Sequence, residues 1–138
     1  MRESDPGAPL PDRGGAPRAT GATARGTTWE RLCRDAARLP GVEIGTSYAT
    51  PALFVRKKLI ARLREDAETV VVRTDLLDRD VLIAADPAGF FLTDHYRAHP
   101  WILVRLAEAR HVLVMGLVEQ AWRRLAPRRL VASRIAPG

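Results

Sequence analysis

TPALFVRKKLIARLREDAETVVVRT, residues Thr50–Thr74, decides how this chain folds. The period in the stretch is two. Leu59, Ala61 and Leu63 alternate with Ile60, Arg62 and Arg64, and Val70, Val72 and Thr74 alternate with Thr69, Val71 and Arg73. Alternation of this kind predicts half-buried antiparallel strands with one face on a core. Arg56-Lys57-Lys58-Leu59 is a tight turn between the first two strands, and Glu65-Asp66-Ala67-Glu68 is a polar connection to the third. The predicted outer face carries Arg56, Arg62, Arg64 and Arg73, with Lys57 and Lys58 at one tip and Phe54, Ile60 and Val71 interleaved.

The strands on either side follow from the same reasoning. Val42–Tyr48 is a rough alternation and a candidate first strand, and Ala49-Thr50-Pro51 a bend, with Pro51 biasing Thr50 to an extended shape. Phe90-Phe91-Leu92 reads as a short strand or an apolar plug. Trp101–Leu106 is apolar almost throughout and belongs at the centre of a sheet.

Helices fill the gaps. Thr27-Thr28-Trp29-Glu30 has the form of a capping box, followed by Trp29, Leu32, Cys33 and Ala36 at helical spacing. Asp75 caps a helix over 75–85, with Leu76, Leu77, Val81 and Ala84 near one side. The last helix starts at Glu108 or Arg110 and runs to Ala126, with Val114, Leu117, Val118, Ala121 and Leu125 as its core stripe and Trp122 flanking it. Hairpin-linked strands with helices gathered on one face make an α+β two-layer sandwich, mainly antiparallel. The opposite sheet face is then left to solvent or a partner.

At 138 residues one domain is expected, large enough to bury a core without disulfides or metals. Residues 1–26 are rich in Pro, Gly, Ala and Arg, and read as a disordered tail; 27–132 is the domain; 133–138 is a flexible end, within an Arg-rich tail from Arg128 expected to fray. The formal net charge is +6, yet the middle, 27–126, is nearly balanced, with 15 Lys plus Arg against 13 Asp plus Glu. The positive charge is therefore local. A local patch still suffices for phosphate, because charges beyond about 10 Å are screened at ordinary salt.

Composition excludes several classes. Cys33 is the only cysteine, so no disulfide framework or multi-Cys metal site is expected, and its place on an apolar stripe reads as a structural thiol. Asp75, Asp78 and Asp80 lack the glycine and terminal glutamate of an EF-hand loop. Ser47 has no nucleophile-elbow pattern around it. No apolar run is long enough to span a membrane and no signal peptide is evident, which suggests a cytoplasmic location. No cofactor or metal is expected. The loop Thr93–Pro100 holds Asp94, His95, Tyr96 and His99, the one constellation that an enzymatic reading could use.

Several separated stretches resemble the MmcQ/YjbR family of small bacterial proteins. They are Pro40–Ala52 (PGVEIGTSYATPA), Lys58–Leu63 (KLIARL), Ala85-Asp86-Pro87 with Phe90–Tyr96 (FFLTDHY), and Gln120–Leu130 (QAWRRLAPRRL). The resemblance covers roughly residues 28–132. Ala49 stands where the family often has Gly, and Lys57 where a turn Gly is common. It implies a compact α/β sandwich and carries the label of DNA-binding protein, proposed for the family from a double-wing-like shape. It implies no enzymatic activity and no cofactor.

Two functional classes follow. In the first, the chain binds duplex DNA with little sequence preference, the hairpin tips acting as wings and Arg56, Lys57, Lys58, Arg62, Arg64 and Arg73 meeting phosphates. Six such contacts give a log–log salt slope of about −5. In the second, the domain is a non-enzymatic protein-binding or chaperone-like adaptor using the open sheet face or a self-association surface, in which an exposed Trp101 or Trp122 would matter.

Overall fold

The computed structural model describes residues 25–135. The expected N-terminal tail therefore lies outside the described residues except for Arg25 and Gly26, which are tied down. Gly26 N donates to Ala109 O at 2.8 Å, and Arg25 reaches Asp86 at 3.1 Å.

Six strands form one antiparallel sheet: β1 (Val42–Ser47), β2 (Thr50–Val55), β3 (Lys58–Leu63), β4 (Thr69–Arg73), β5 (Phe90–Phe91) and β6 (Trp101–Arg105). Their spatial order is β1-β2-β3-β4-β6-β5, so β6 lies inside the sheet, as its continuous apolar run requires. The helices are α1 (Trp29–Ala36), α2 (Leu76–Ala85), α3 (His111–Leu125) and α4 (Arg128–Ile135). The core gathers Leu53, Val55, Val70, Val72, Ile102 and Val104 from one sheet face with Leu32 of α1 and Val114, Val118 and Trp122 of α3. The chain is thus an α+β sandwich with its helices on one face. Among the described residues no helix is long and apolar enough to cross a membrane.

The strict alternation expected in β3 is broken once. Leu53 pairs with Ala61 and Phe54 with Leu59, which leaves Ile60 as an extra residue, a β-bulge. Ile60 turns into the core at 0 % exposure instead of joining the outer face, and Leu59 goes outward in its place. The bulge restores the expected phase downstream: Ala61 pairs with Val72 on the core side, and Arg62 with Val71 on the other.

Both hairpin turns fall one residue earlier than expected. Tyr48 and Ala49 join β1 to β2 with φ of 53° and 66°, and Arg56 and Lys57 join β2 to β3 with φ of 53° and 66°. Two-residue hairpins favour this left-handed pair because its twist matches that of the strands. An L-residue pays roughly 1–2 kcal/mol for left-handed backbone, and Ala49 and Lys57, both at φ 66°, are the second residues of the two turns. Ala49→Gly should raise the unfolding free energy by about 0.5–1 kcal/mol, the strain relief less the added entropy of the unfolded chain. Urea denaturation of the two proteins measures it, and an unchanged midpoint refutes it.

The helices depart from expectation at their ends. Thr28, not Thr27, caps α1, its hydroxyl accepting from Arg31 N at 3.0 Å. The Thr27–Glu30 capping box is not made. Asp75 does cap α2, accepting from Asp78 N at 2.7 Å. The side of α2 expected to be buried faces outward: Leu77 and Val81 are 80 % and 68 % exposed, while Arg79, Leu82 and Ile83 turn inward. Trp122 is wholly buried, its Nε1 donating to Pro40 O at 2.8 Å. The C-terminal stretch expected to fray is helical from Arg128 to Ile135. It packs against Gly41, where a Cβ would lie 2.7 Å from Leu130 Cδ1, so glycine is required there by close approach as well as by its φ of 82°.

The third histidine, unremarked in the sequence, ties two helices to the N-terminal segment. His111 Nδ1 lies 2.6 Å from Thr27 Oγ1 and its Nε2 2.6 Å from Asp35 Oδ2. The hydrogen bond from His111 is the main reason that the Asp35 carboxyl sits below the usual carboxylate range. A depressed carboxyl pKa contributes stability above its unfolded value, about 4, and that contribution is lost as pH falls through the lower folded value. Wild-type stability should therefore fall more steeply between pH 5 and pH 2 than that of Asp35→Asn, in denaturant titrations across that range. Parallel curves would refute the linkage.

Candidate functional site

The sheet face away from the helices is less open than its sequence suggests. Val71 and Leu103, which point to it by register, are 4 % and 0 % exposed. Part of this face is a cleft of about 560 Å³. Leu59 and Val71 supply its apolar surface, Tyr48, Arg62 and Glu65 line it from the hairpin side, and His95, Tyr96, His99 and Trp101 from the loop side.

Each group is positioned by a separate local cause. The left-handed turn lifts Tyr48 beside the sheet, where it is 81 % exposed, with the Arg62 guanidinium 5.2 Å from its ring centre. Arg62 is held in turn by Thr50 Oγ1 at 3.1 Å and Glu65 at 3.5 Å. On the far side Asp94–Tyr96 forms one 3-10 turn, with the His95 and Tyr96 rings edge to face at 4.7 Å. Trp101 is covered by the Arg73 guanidinium at 4.6 Å, and Arg73 Nε donates to Leu59 O at 2.9 Å.

The loop that carries the histidines is fixed by a residue the sequence reading passed over. Arg79, 5 % exposed on α2, donates to the carbonyls of Tyr96, Arg97, His99 and Trp101 at 2.8–3.3 Å. One guanidinium thus adds to the local bonds from His99 N to Tyr96 O and from Trp101 N to His99 O, and ties this irregular segment to α2. The only available signal was an arginine at helical spacing with Leu82 and Ile83, which reads as an ordinary solvated side chain.

The six basic residues expected to act together are divided. Arg56, Lys57 and Lys58 are exposed at the β2–β3 tip, and among the described residues none has a carboxylate within ion-pair distance. Arg62 and Arg73 are engaged as just described. Arg64 is half-buried and lies near Glu65 and Asp66, whose carboxyls are held below the usual range mainly by backbone hydrogen bonds, with only a minor contribution from the Arg64 charge. Of the other constellation, His95, Tyr96 and His99 do converge on the cleft, whereas Asp94 is 98 % exposed and pairs with Arg97 at 3.2 Å. Among the described residues no group of three or more His, Cys, Asp or Glu is placed to hold a metal ion. Cys33 is half-buried, and burial pushes its thiol up to about 11, which suits a packing role.

A larger groove, about 650 Å³, lies between Thr27–Glu30 and the turns at 67–69 and 105–108. Its charged side chains are Glu30, Glu68 and Glu108 against Arg105, a balance that repels an anionic ligand.

Comparison with known proteins agrees with this architecture. The chain is 40 % identical over 55 residues to uncharacterized proteins of Mycobacterium bovis and Mycobacterium tuberculosis, covering 40 % of this chain and 43 % of theirs. It thus spans less than half the length of the curated relatives it matches. The crystal structure of Deinococcus radiodurans protein DR2400, a DUF419 domain, superposes with a TM-score of 0.61 at 15 % identity, over 80 % of this chain and 89 % of that one. At that identity the likeness establishes the fold alone. The YjbR family model matches residues 37–124, from the end of α1 through all six strands to the last turn of α3, and the chain belongs to the YjbR family.

Proposed function

We propose that this protein is a non-enzymatic nucleic-acid-binding domain that holds its target mainly by phosphate contacts, with duplex DNA as the simplest target. The observation that supports the reading most is the β2–β3 tip. Three consecutive cations, Arg56 and Lys57 of the two-residue turn and Lys58 at the start of β3, are exposed and have no carboxylate partner among the described residues. Unpaired cations at a protruding tip release counterions when they meet phosphate, and no internal ion pair has to be broken first. Arg62 and Arg73 are committed to internal contacts and Arg64 is half-buried, so the exposed tip sets the salt dependence. Three contacts give a log–log slope of about −3, in place of the −5 expected for six. Fluorescence anisotropy of a labelled duplex, titrated from 50 to 200 mM salt, should show affinity falling roughly 40-fold. Absence of binding at low salt would end this reading.

A second reading, a protein-binding adaptor, is favoured by the outward face of α2. Leu76, Leu77 and Val81 are more than half exposed, and Val112 of α3, half exposed, lines the same shallow groove as Val81. Exposed apolar clusters of this kind mark association surfaces. Sedimentation equilibrium of wild type and Leu77→Arg/Val81→Arg tests the self-associating form: a concentration-dependent wild-type mass that the variant abolishes supports it, and two monomers refute it.

A further inference from the structure

We propose that the cleft between Tyr48 and His99 receives an unpaired nucleobase, so that single-stranded nucleic acid binds more tightly than duplex. The proposal rests on the nucleic-acid reading above and assigns the cleft a ligand of its own. Its size, about 560 Å³, lies within the range of small-molecule sites.

The first argument is Tyr48. A tyrosine at φ 53° occupies a turn position that glycine or asparagine fills at lower cost, and at 81 % exposure it gains almost no packing in return. A strained position holding a large exposed ring points to a use outside folding. The ring is backed by Arg62 and stands across the cleft from Tyr96 and His99, so a flat group can stack against it. Aromatic side chains serve unstacked bases in this way, and the gain is largely independent of base identity.

The second argument is charge. Arg62 lies 3.5 Å from Glu65 and is only 12 % exposed, so the cleft carries little surplus positive charge. It is ill suited to a bare phosphate. It does offer a guanidinium donor and a carboxylate acceptor side by side above apolar Leu59 and Val71, a match for the mixed donor–acceptor edge of a neutral, planar heterocycle. The surplus charge stands instead at the tip. Lys57 and Lys58 immediately precede Leu59 at one end of β2, and Tyr48 stands at the other, so a strand whose phosphates rest on the tip must run the length of β2 to place a base against Tyr48.

The base has two possible sources, a polynucleotide strand or a free nucleotide, and one experiment separates them. Anisotropy is measured with a labelled 15-mer single strand and with its duplex, for wild type, Tyr48→Ala, Tyr48→Phe and the tip variant Arg56→Ala/Lys57→Ala/Lys58→Ala, with nucleoside monophosphates as competitors. The expected result is tighter binding of the single strand, lost by about five- to a hundredfold in Tyr48→Ala, retained in Tyr48→Phe, and unchanged by Tyr48→Ala for the duplex. Competition by monophosphates in wild type but not in Tyr48→Ala would show that a free nucleotide suffices; none would assign the site to strands. Equal affinity for both forms, with Tyr48→Ala like wild type and the tip variant still deficient, would overturn the cleft proposal and leave phosphate binding standing. Failure of either form to bind at low salt would overturn both.

Discussion

Arg79→Ala is expected to lower the unfolding free energy by about 3 kcal/mol, the largest loss from any single charged side chain here. The guanidinium is 5 % exposed and serves four backbone carbonyls between Tyr96 and Trp101. Hydrogen bonds from a charged donor contribute about 1.5–3 kcal/mol each, and water reaching the partly exposed loop in the variant recovers some of that sum. Arg79→Met keeps the apolar stem and separates packing from hydrogen bonding; it should lose nearly as much. Arg79 Nε is buried without a hydrogen-bond partner and only 3.9 Å from Asp80, so the ion pair contributes little beside the carbonyl contacts. The same substitution releases the loop that carries His95, Tyr96 and His99, and should therefore erase the dependence of single-strand binding on Tyr48 while sparing the tip. Urea denaturation of the three proteins provides the measurement. A loss below about 1 kcal/mol would show that the loop is held by something else.

Removing the tip is the second large effect. Arg56→Ala/Lys57→Ala/Lys58→Ala should bring the log–log salt slope from about −3 to near zero, and with it most of the affinity at 50 mM salt. The three side chains are exposed, so the unfolding midpoint should stay close to that of wild type. Arg62→Met and Arg64→Met serve as the contrast. Arg62 is paired inside the fold and Arg64 is half-buried, and neither change should move the slope by as much as one. A tip variant with an unchanged slope would place the phosphate contacts elsewhere.

How much of this was legible beforehand differs from element to element. The β-strands from Leu53 to Arg73 announce themselves because side-chain period two is a local property of extended backbone. The bulge at Ile60 does not, because it depends on how two strands pair. A single extra residue exchanged the faces of Leu59 and Ile60. The apolar run of α2 misled for a similar reason. Leu76, Leu77 and Val81 form a plausible stripe, but Arg79 outcompetes them for the interior by satisfying four carbonyls.

The candidate site shows the same division. The density of basic residues between Arg56 and Arg73 is plain in the chain, and so is the grouping of His95, Tyr96 and His99. Which cations remain free is not, since Glu65 lies three residues from Arg62 and Trp101 twenty-eight from Arg73, yet each engages its arginine. The meeting of Tyr48 with the 94–99 loop likewise joins residues far apart in the chain.

By itself the sequence determined the α+β class, the hairpin order, the place of β6 inside the sheet and the one densely basic turn, all consequences of local periodicity and composition. Only the tertiary structure decided that two of the six basic residues, Arg62 and Arg73, are internally engaged, that Arg79 and His111 are structural ties, and that a cleft exists. Those outcomes rest on long-range pairings whose partners compete for the same side chains, and the outcome of such a competition depends on burial and register, which no local pattern carries.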